Sequence, residues 1–206
     1  MKGKRHTLNL AYIATGAVLI TVCSWLSVPT AVPFTMQTFA VFAVLCMLGG
    51  IRGTASIVIY ILLGIIGLPV FANFQSGVGV IMGVTGGYIL GFVLTGLIYT
   101  LFEKLVGTKL PVLIGALSIG LIVCYAFGTA WFMIVYTKNT AEIGLWSALT
   151  MCVLPFIIPD AAKMAIAIGI SSRVKKYILP EKEEKKEEKA DSKVNDKSED
   201  DEFTDK

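Results

Sequence analysis

Acidic residues are nearly missing from the first 180 positions. Only Glu103, Glu142 and Asp160 occur there, against 11 Lys and Arg. Histidine occurs once, at His6 beside Lys2, Lys4 and Arg5. That excludes a Ser/His/Asp set, and no HExxH or GxSxG pattern is present. There is no GxxxxGK[ST] phosphate loop, so ATP hydrolysis by this chain is not expected. The four cysteines, Cys23, Cys46, Cys124 and Cys152, stand singly in apolar segments, with no CxxC spacing for a metal or redox pair. They read as small buried apolar side chains. No repeated filter motif or ring of charges suggests an ion pore.

Apolar residues take their place. Hydrophobic residues make up 55% of the 206 and mean hydropathy is +0.73. The formal net charge of +3 hides a basic body and an acidic tail, because 12 of the 15 acids lie after residue 180. A bilayer-spanning helix needs about 20 apolar residues, within a range of about 17–25. Six stretches qualify as candidates: 8–28, 36–50, 53–69, 87–106, 111–136 and 143–172. The fold class expected is an all-α integral membrane protein of six transmembrane helices. The second and third are joined through Gly49-Gly50-Ile51-Arg52-Gly53 as a tight hairpin. With the N-terminus inside, nine basic residues fall on inner segments and Lys138 alone falls outside. This asymmetry predicts that both termini are cytoplasmic. Residues 1–176 form the membrane domain. The tail, 177–206, has too little apolar surface to fold alone and is expected to be disordered and cytoplasmic.

Inside the last span, "PFIIPDAAKMAIAIG" (155–169) places Asp160 and Lys163 one turn apart on one helix face. A charge at the centre of a membrane helix costs about 2.5–3.5 kcal/mol on insertion scales, so such residues mark function by default. Pro155 and Pro159 disturb the helix just ahead of the pair, which suggests a cavity with polar lining. An acid beside a base suits a ligand that is polar at two places: Lys163 for a carboxylate, Asp160 for N–H donors.

A second unusual stretch, "GLPVFANFQSGVGVIMGVTGGY" (67–88), carries six glycines and no charge. It is too irregular for a span and too apolar for an ordinary outer loop. It reads as an outward lid over a pocket, with Asn73, Gln75 and Thr85 as neutral hydrogen-bonding groups and Phe71, Phe74 and Tyr88 as flat apolar surface. In "VPTAVPFTMQTF" (28–39) two prolines stiffen a connection, and Thr35 and Gln37 could face the same pocket or belong to a plain loop. In the first span Ala11, Ala14, Thr15, Gly16 and Ala17 form a small-residue surface for helix packing.

Together these residues resemble the BioY family, the biotin-specific S components of energy-coupling factor (ECF) transporters. The stretches that carry the resemblance are "VPFTMQTFAV" (32–41), "GIRGTASIVIYILLGIIGLPVFANFQSG" (50–77), "GVTGGYILGF" (83–92) and "PDAAK" (159–163). The resemblance covers roughly residues 8–172. It implies a multi-pass cell-membrane subunit that captures biotin from outside. The implied partners are a transmembrane coupling protein and two ATPase subunits, which would hydrolyse the ATP. Membrane lipid is a further expected partner; nucleic acid is not, and no cofactor is expected on this chain.

By the same resemblance, Asp160 and Asn73 accept the ureido N–H groups. Lys163 pairs with the biotin carboxylate or the ureido carbonyl. Tyr88, Phe34, Phe74 and Gln37 complete the pocket, and Gly83, Thr85, Gly86 and Gly87 form the lid. Ala11 and Ala14 are the docking surface, with Thr15 where the family usually has a second alanine. The competing readings are an S component for riboflavin or thiamine, and a membrane enzyme using Asp160 and Lys163 as acid and base.

Overall fold

The computed structural model describes residues 2–28, 32–140 and 142–178. The charged tail expected after residue 176 lies almost wholly outside them. Helix α1 runs from Lys2 to Trp25. Two-residue strands follow, β1 (Ser27–Val28) and β2 (Phe34–Thr35), paired antiparallel with Ser27 opposite Thr35. The Pro-stiffened connection is therefore a small hairpin. It leads into α2 (Gln37–Leu48) and α3 (Gly50–Ile65). After an irregular segment with a 3-10 turn at Ala72–Phe74 come α4 (Val78–Met82), α5 (Gly86–Leu105), α6 (Leu110–Asn139), α7 (Leu145–Cys152) and α8 (Leu154–Ile178).

Among the described residues, four apolar stretches are long enough to cross a membrane: His6–Trp25, Gly86–Leu105, Leu110–Asn139 and Leu145–Val174. Helices α2 and α3 are apolar but shorter, at 12 and 16 residues. At about 1.5 Å per residue they reach roughly 18 and 24 Å, against a hydrocarbon core of about 30 Å. The expected second and third spans are thus present as short helices, not as full-length ones.

One residue, Gly49, separates α2 from α3. Its φ of 82° lies in the left-handed region, where glycine has no Cβ penalty. The Gly50 N–H that this break frees donates to Glu103 Oε2 at 2.6 Å. One of the rare acids thereby caps the positive end of α3 from a neighbouring helix. Just beyond, a Cβ on Gly53 would stand 2.9 Å from Leu45 Cα, so only glycine lets α2 and α3 approach this closely.

The final span is broken, but not where the prolines suggest. Val153, at φ −124° and ψ −57°, separates α7 from α8. Pro155 sits in the first turn of α8, where its missing N–H costs no helical bond. Pro159 lies inside α8 without ending it.

The helices pack as a ring. α8 rests on α2, α2 on α1 and α3, α1 on α3, α3 on α5, and α5 on α6 in the most extensive contact of the bundle. α7 bridges α6 and α8, which share no comparable interface of their own. Fully buried side chains such as Ile20, Val41, Phe42, Leu45, Ile57 and Tyr99 fill the core.

Replacing Glu103 with Ala removes the carboxylate that caps α3. We expect a loss of about 1 kcal/mol, seen as a fall of several degrees in Tm in detergent, with Glu103→Gln intermediate.

Candidate functional site

Helix α8 places Asp160 and Lys163 on the face turned toward α2 and α6. Their i,i+3 spacing brings Lys163 Nζ to 2.8 Å from Asp160 Oδ1, with side chains only 6% and 2% exposed. Lys163 donates two more hydrogen bonds, to the Thr35 carbonyl at 2.7 Å and Thr38 Oγ1 at 3.2 Å. Its three ammonium protons are therefore all engaged. The ammonium also lies 4.2 Å from the centre of the Phe34 ring, within cation–π range. Asp160 accepts from Thr38 Oγ1 at 2.8 Å on Oδ1 and from the Tyr125 hydroxyl at 2.7 Å on Oδ2. Oδ1 thus takes two donors and Oδ2 one, leaving one acceptor position on Oδ2 unfilled among the described residues.

Both charges border a cavity of about 780 Å³ at the end of the bundle away from Glu103 and Lys104. Gln37, Asn73, Phe74, Gly83, Thr85 and Tyr88 border it as well. So most of the residues singled out in the sequence meet in one place. Gln37 is buried, with its amide nitrogen donating to the Tyr60 hydroxyl at 3.0 Å. The Tyr88 hydroxyl pairs with Thr129 Oγ1 at 3.0 Å, and its ring packs flat against Gly128. Asn73 Oδ1 accepts from Ser27 Oγ at 2.9 Å, and the Phe74 ring lies tilted against Trp25 with centroids 5.0 Å apart. Both residues have left-handed backbone, at φ 56° and 58°.

The segment over the cavity is anchored at its base. Ser24 Oγ donates to the Val70 carbonyl at 2.5 Å, Trp25 Nε1 to the Pro69 carbonyl at 2.8 Å, and Gly77 N–H to the Gly64 carbonyl at 2.7 Å. The Phe71 ring sits directly over Gly64, where any side chain would collide with it.

Three assignments change. Phe34 does not line the cavity; it underlies Lys163 and stacks on Phe156 at 5.9 Å. Gly86 and Gly87 do not belong to the irregular segment. They form the first turn of α5, where Gly86 abuts the Ile81 carbonyl and Gly87 abuts Trp131. They are packing positions, whereas Gly83 remains at the cavity and its carbonyl accepts from Trp131 Nε1 at 3.0 Å. The small-residue stretch of α1 divides. Gly16 and Ala17 face the bundle, with Gly16 against Ser56, while Ala11, Ala14 and Thr15 are exposed. The Thr15 hydroxyl turns back to the Ala11 carbonyl at 2.9 Å.

Sequence reasoning missed Thr38 and Tyr125, the two hydroxyls that hold Asp160. Thr38 adjoins Gln37 and could have been found as a polar residue in the first turn of α2. Tyr125 is one of several scattered hydroxyls in a long apolar helix, and nothing near it marks its partner.

An all-α membrane bundle with a buried ion pair beside a polar-lined cavity defines a membrane protein that binds a small polar solute. The sequence profile described as "BioY family" matches residues 1–179, and the chain belongs to that family. The Biotin transporter BioY of Thermotoga maritima is 38% identical over 160 residues, covering 77% of this chain and 90% of that protein. The Probable biotin transporter BioY of Pyrococcus horikoshii is 36% identical over 176 residues, covering 85% and 98%. The crystal structure of the S-component for biotin from an ECF-type ABC transporter superposes with a TM-score of 0.73 at 26% identity, covering 85% of this chain and 95% of that one.

Breaking a buried pair strands the remaining charge, at a typical cost of about 3–5 kcal/mol. Asp160→Asn should therefore destabilise strongly, and the double variant Asp160→Asn/Lys163→Met should recover much of the loss. Thermal unfolding of all three in one detergent checks this.

Proposed function

We propose that this chain captures biotin as the substrate-binding membrane subunit of an ECF-type transporter. The single observation that carries the reading is the open acceptor position on Asp160 Oδ2, held at the cavity by Tyr125 and Lys163. Relatives named as biotin transporters across most of the chain support the ligand, and they set aside the acid–base enzyme reading.

The cavity chemistry agrees with the ligand. A ureido N–H donates to Asp160 Oδ2, and the exposed Asn73 at the cavity mouth serves the other end of that ring. Tyr88 and Phe74 cover the sulfur ring. Lys163 has no proton to spare, so its first role is to hold Asp160 aimed at the cavity. It reaches the ligand only by exchanging one of its present acceptors, the Thr35 carbonyl or Thr38.

The mouth then faces outward and Lys104 and Lys109 face the cytoplasm, in keeping with the basic asymmetry. On this reading α2 and α3 count as two short crossings, which gives six spans with both termini cytoplasmic. The segment 67–85 serves as the lid. Ala11, Ala14 and Thr15 present a smooth exposed face to the coupling protein, whose two ATPase partners supply the energy of release.

Calorimetry with the purified chain tests the site. Biotin should bind tightly and riboflavin and thiamine should not, with affinity falling at least a hundredfold in Asp160→Asn. Biotinamide separates the roles of Lys163. If the ammonium grips the carboxylate, the amide loses affinity in the wild type but not in Lys163→Met; if it serves Asp160, both ligands fall together. Retained biotin affinity in Asp160→Asn would refute the site.

Docking has its own test. Ala14→Trp should abolish biotin uptake in cells that carry the coupling proteins while leaving equilibrium biotin binding unchanged.

A further inference from the structure

The ligand cavity has two chemically different ends. At the buried end the polar groups are already paired. Gln37 donates to Tyr60, Tyr88 pairs with Thr129, and Lys163 directs its protons to Asp160, Thr35 and Thr38. What remains there is the unfilled acceptor position on Asp160 Oδ2, on a residue only 2% exposed. A position that can only accept takes only a donor. A ureido N–H fits it. A carboxylate does not, because it brings acceptors and a like charge to Asp160.

The other end is neutral and open to water. Gln75 and Ser76 are exposed and still border the cavity, which places them where it opens, and half-buried Thr85 borders it too. The side chains of these three have no hydrogen-bond partner among the described residues. Among the described residues that border the cavity, Asp160 and Lys163 are the only charged ones, so no cation stands at the mouth. A carboxylate at the mouth keeps part of its water and gains neutral donors. Drawn inside, it would lose that water and find the Lys163 protons taken.

Amide and hydroxyl groups both donate and accept. They can bond the oxygen of a carboxylate or of an amide, and they demand no charge of the ligand. Bulk does not close the exit either. The cavity, at about 780 Å³, lies in the upper part of the roughly 300–1,000 Å³ range of small-ligand sites, and its exposed wall leaves a path for atoms beyond the carboxyl carbon.

We propose that biotin lies with its ureido ring at Asp160 and its carboxyl end at Gln75, Ser76 and Thr85. The ligand class then includes biotin joined through its carboxyl carbon to an amine, as in biotinyl-lysine, beside free biotin. This rests on the biotin reading above and extends it.

The test is calorimetry on the full chain in detergent with four ligands: biotin, its neutral N-methyl amide, biotinyl-lysine, and biotin methylated on both ureido nitrogens. The first three should bind within about tenfold of one another. The ureido-methylated ligand should lose at least a hundredfold, since it has no N–H for Asp160. The near-isosteric variant Gln75→Glu puts an anion at the mouth. It should weaken biotin about tenfold and leave the neutral amide unchanged, and that unchanged value shows that the variant is folded. Tight biotin binding with a hundredfold loss for biotinyl-lysine overturns the orientation, because the carboxyl end is then enclosed. Equal response of biotin and its amide to Gln75→Glu overturns the mouth assignment. Absence of biotin binding overturns both this inference and the reading beneath it.

Discussion

The interaction on which the rest depends is the ion pair between Asp160 and Lys163. Either charge alone in a bilayer core costs several kcal/mol, and even the pair seldom outdoes an apolar replacement in stability. Here four further groups from three other elements surround it: the Thr35 carbonyl and the Phe34 ring from β2, Thr38 from α2 and Tyr125 from α6. The network fixes α8 against its neighbours at one depth. It satisfies every proton of the ammonium and all but one acceptor position of the carboxylate. Full satisfaction with a single vacancy suits recognition better than structure alone, since a purely structural pair would gain by closing the last position too.

The bundle opens at one end because it is tight at the other. Glycines away from the cavity mouth let neighbouring helices meet closely: Gly53 against Leu45, Gly96 against Thr54 and Gly120 against Thr95. Glu103 fastens the α2–α3 break there. Toward the cavity the contacts change to large rings, with Phe71 lodged between Gly64 and Tyr60 and Tyr88 lying on Gly128. The break at Val153 turns the chain from α7 into α8 just ahead of Phe156, so the wall bends at the level of the site. Small residues below and rings above splay the helices around the charged pair.

Much of this was legible in sequence because hydrocarbon punishes exceptions. Asp160 and Lys163 stood out against apolar neighbours, and the glycine-rich stretch 67–88 stood out by its lack of helical pattern. Both border the cavity. What escaped depends on three-dimensional partners. Tyr125 and Thr38 are ordinary residues until α6 and α2 bring them to the carboxylate. Gly86 and Gly87 read as lid because composition does not separate a flexible glycine from one crowded by Ile81 and Trp131. Val153 gave no sign of the helix break, since the prolines beside it drew the inference one turn too far along.

The segment over the cavity shows how the proposed lid could stay closed without being rigid. Its base is tied to α1 and α3 through Val70, Pro69 and Gly77, all by backbone atoms. Its tip is closed by its own backbone, with Phe71 N–H donating to the Gln75 carbonyl at 3.1 Å and Gln75 N–H to the Ala72 carbonyl at 3.2 Å, and is tied to α1 and β1 by the Ser27–Asn73 hydrogen bond and the tilted Trp25–Phe74 ring pair. Two consecutive non-glycine residues in left-handed backbone cost about 1–2 kcal/mol each, and these contacts oppose that cost. A ligand that bonds Asn73 adds to the closed side of that balance. Such a tip can therefore open and close on modest energies while its base keeps the cavity in shape.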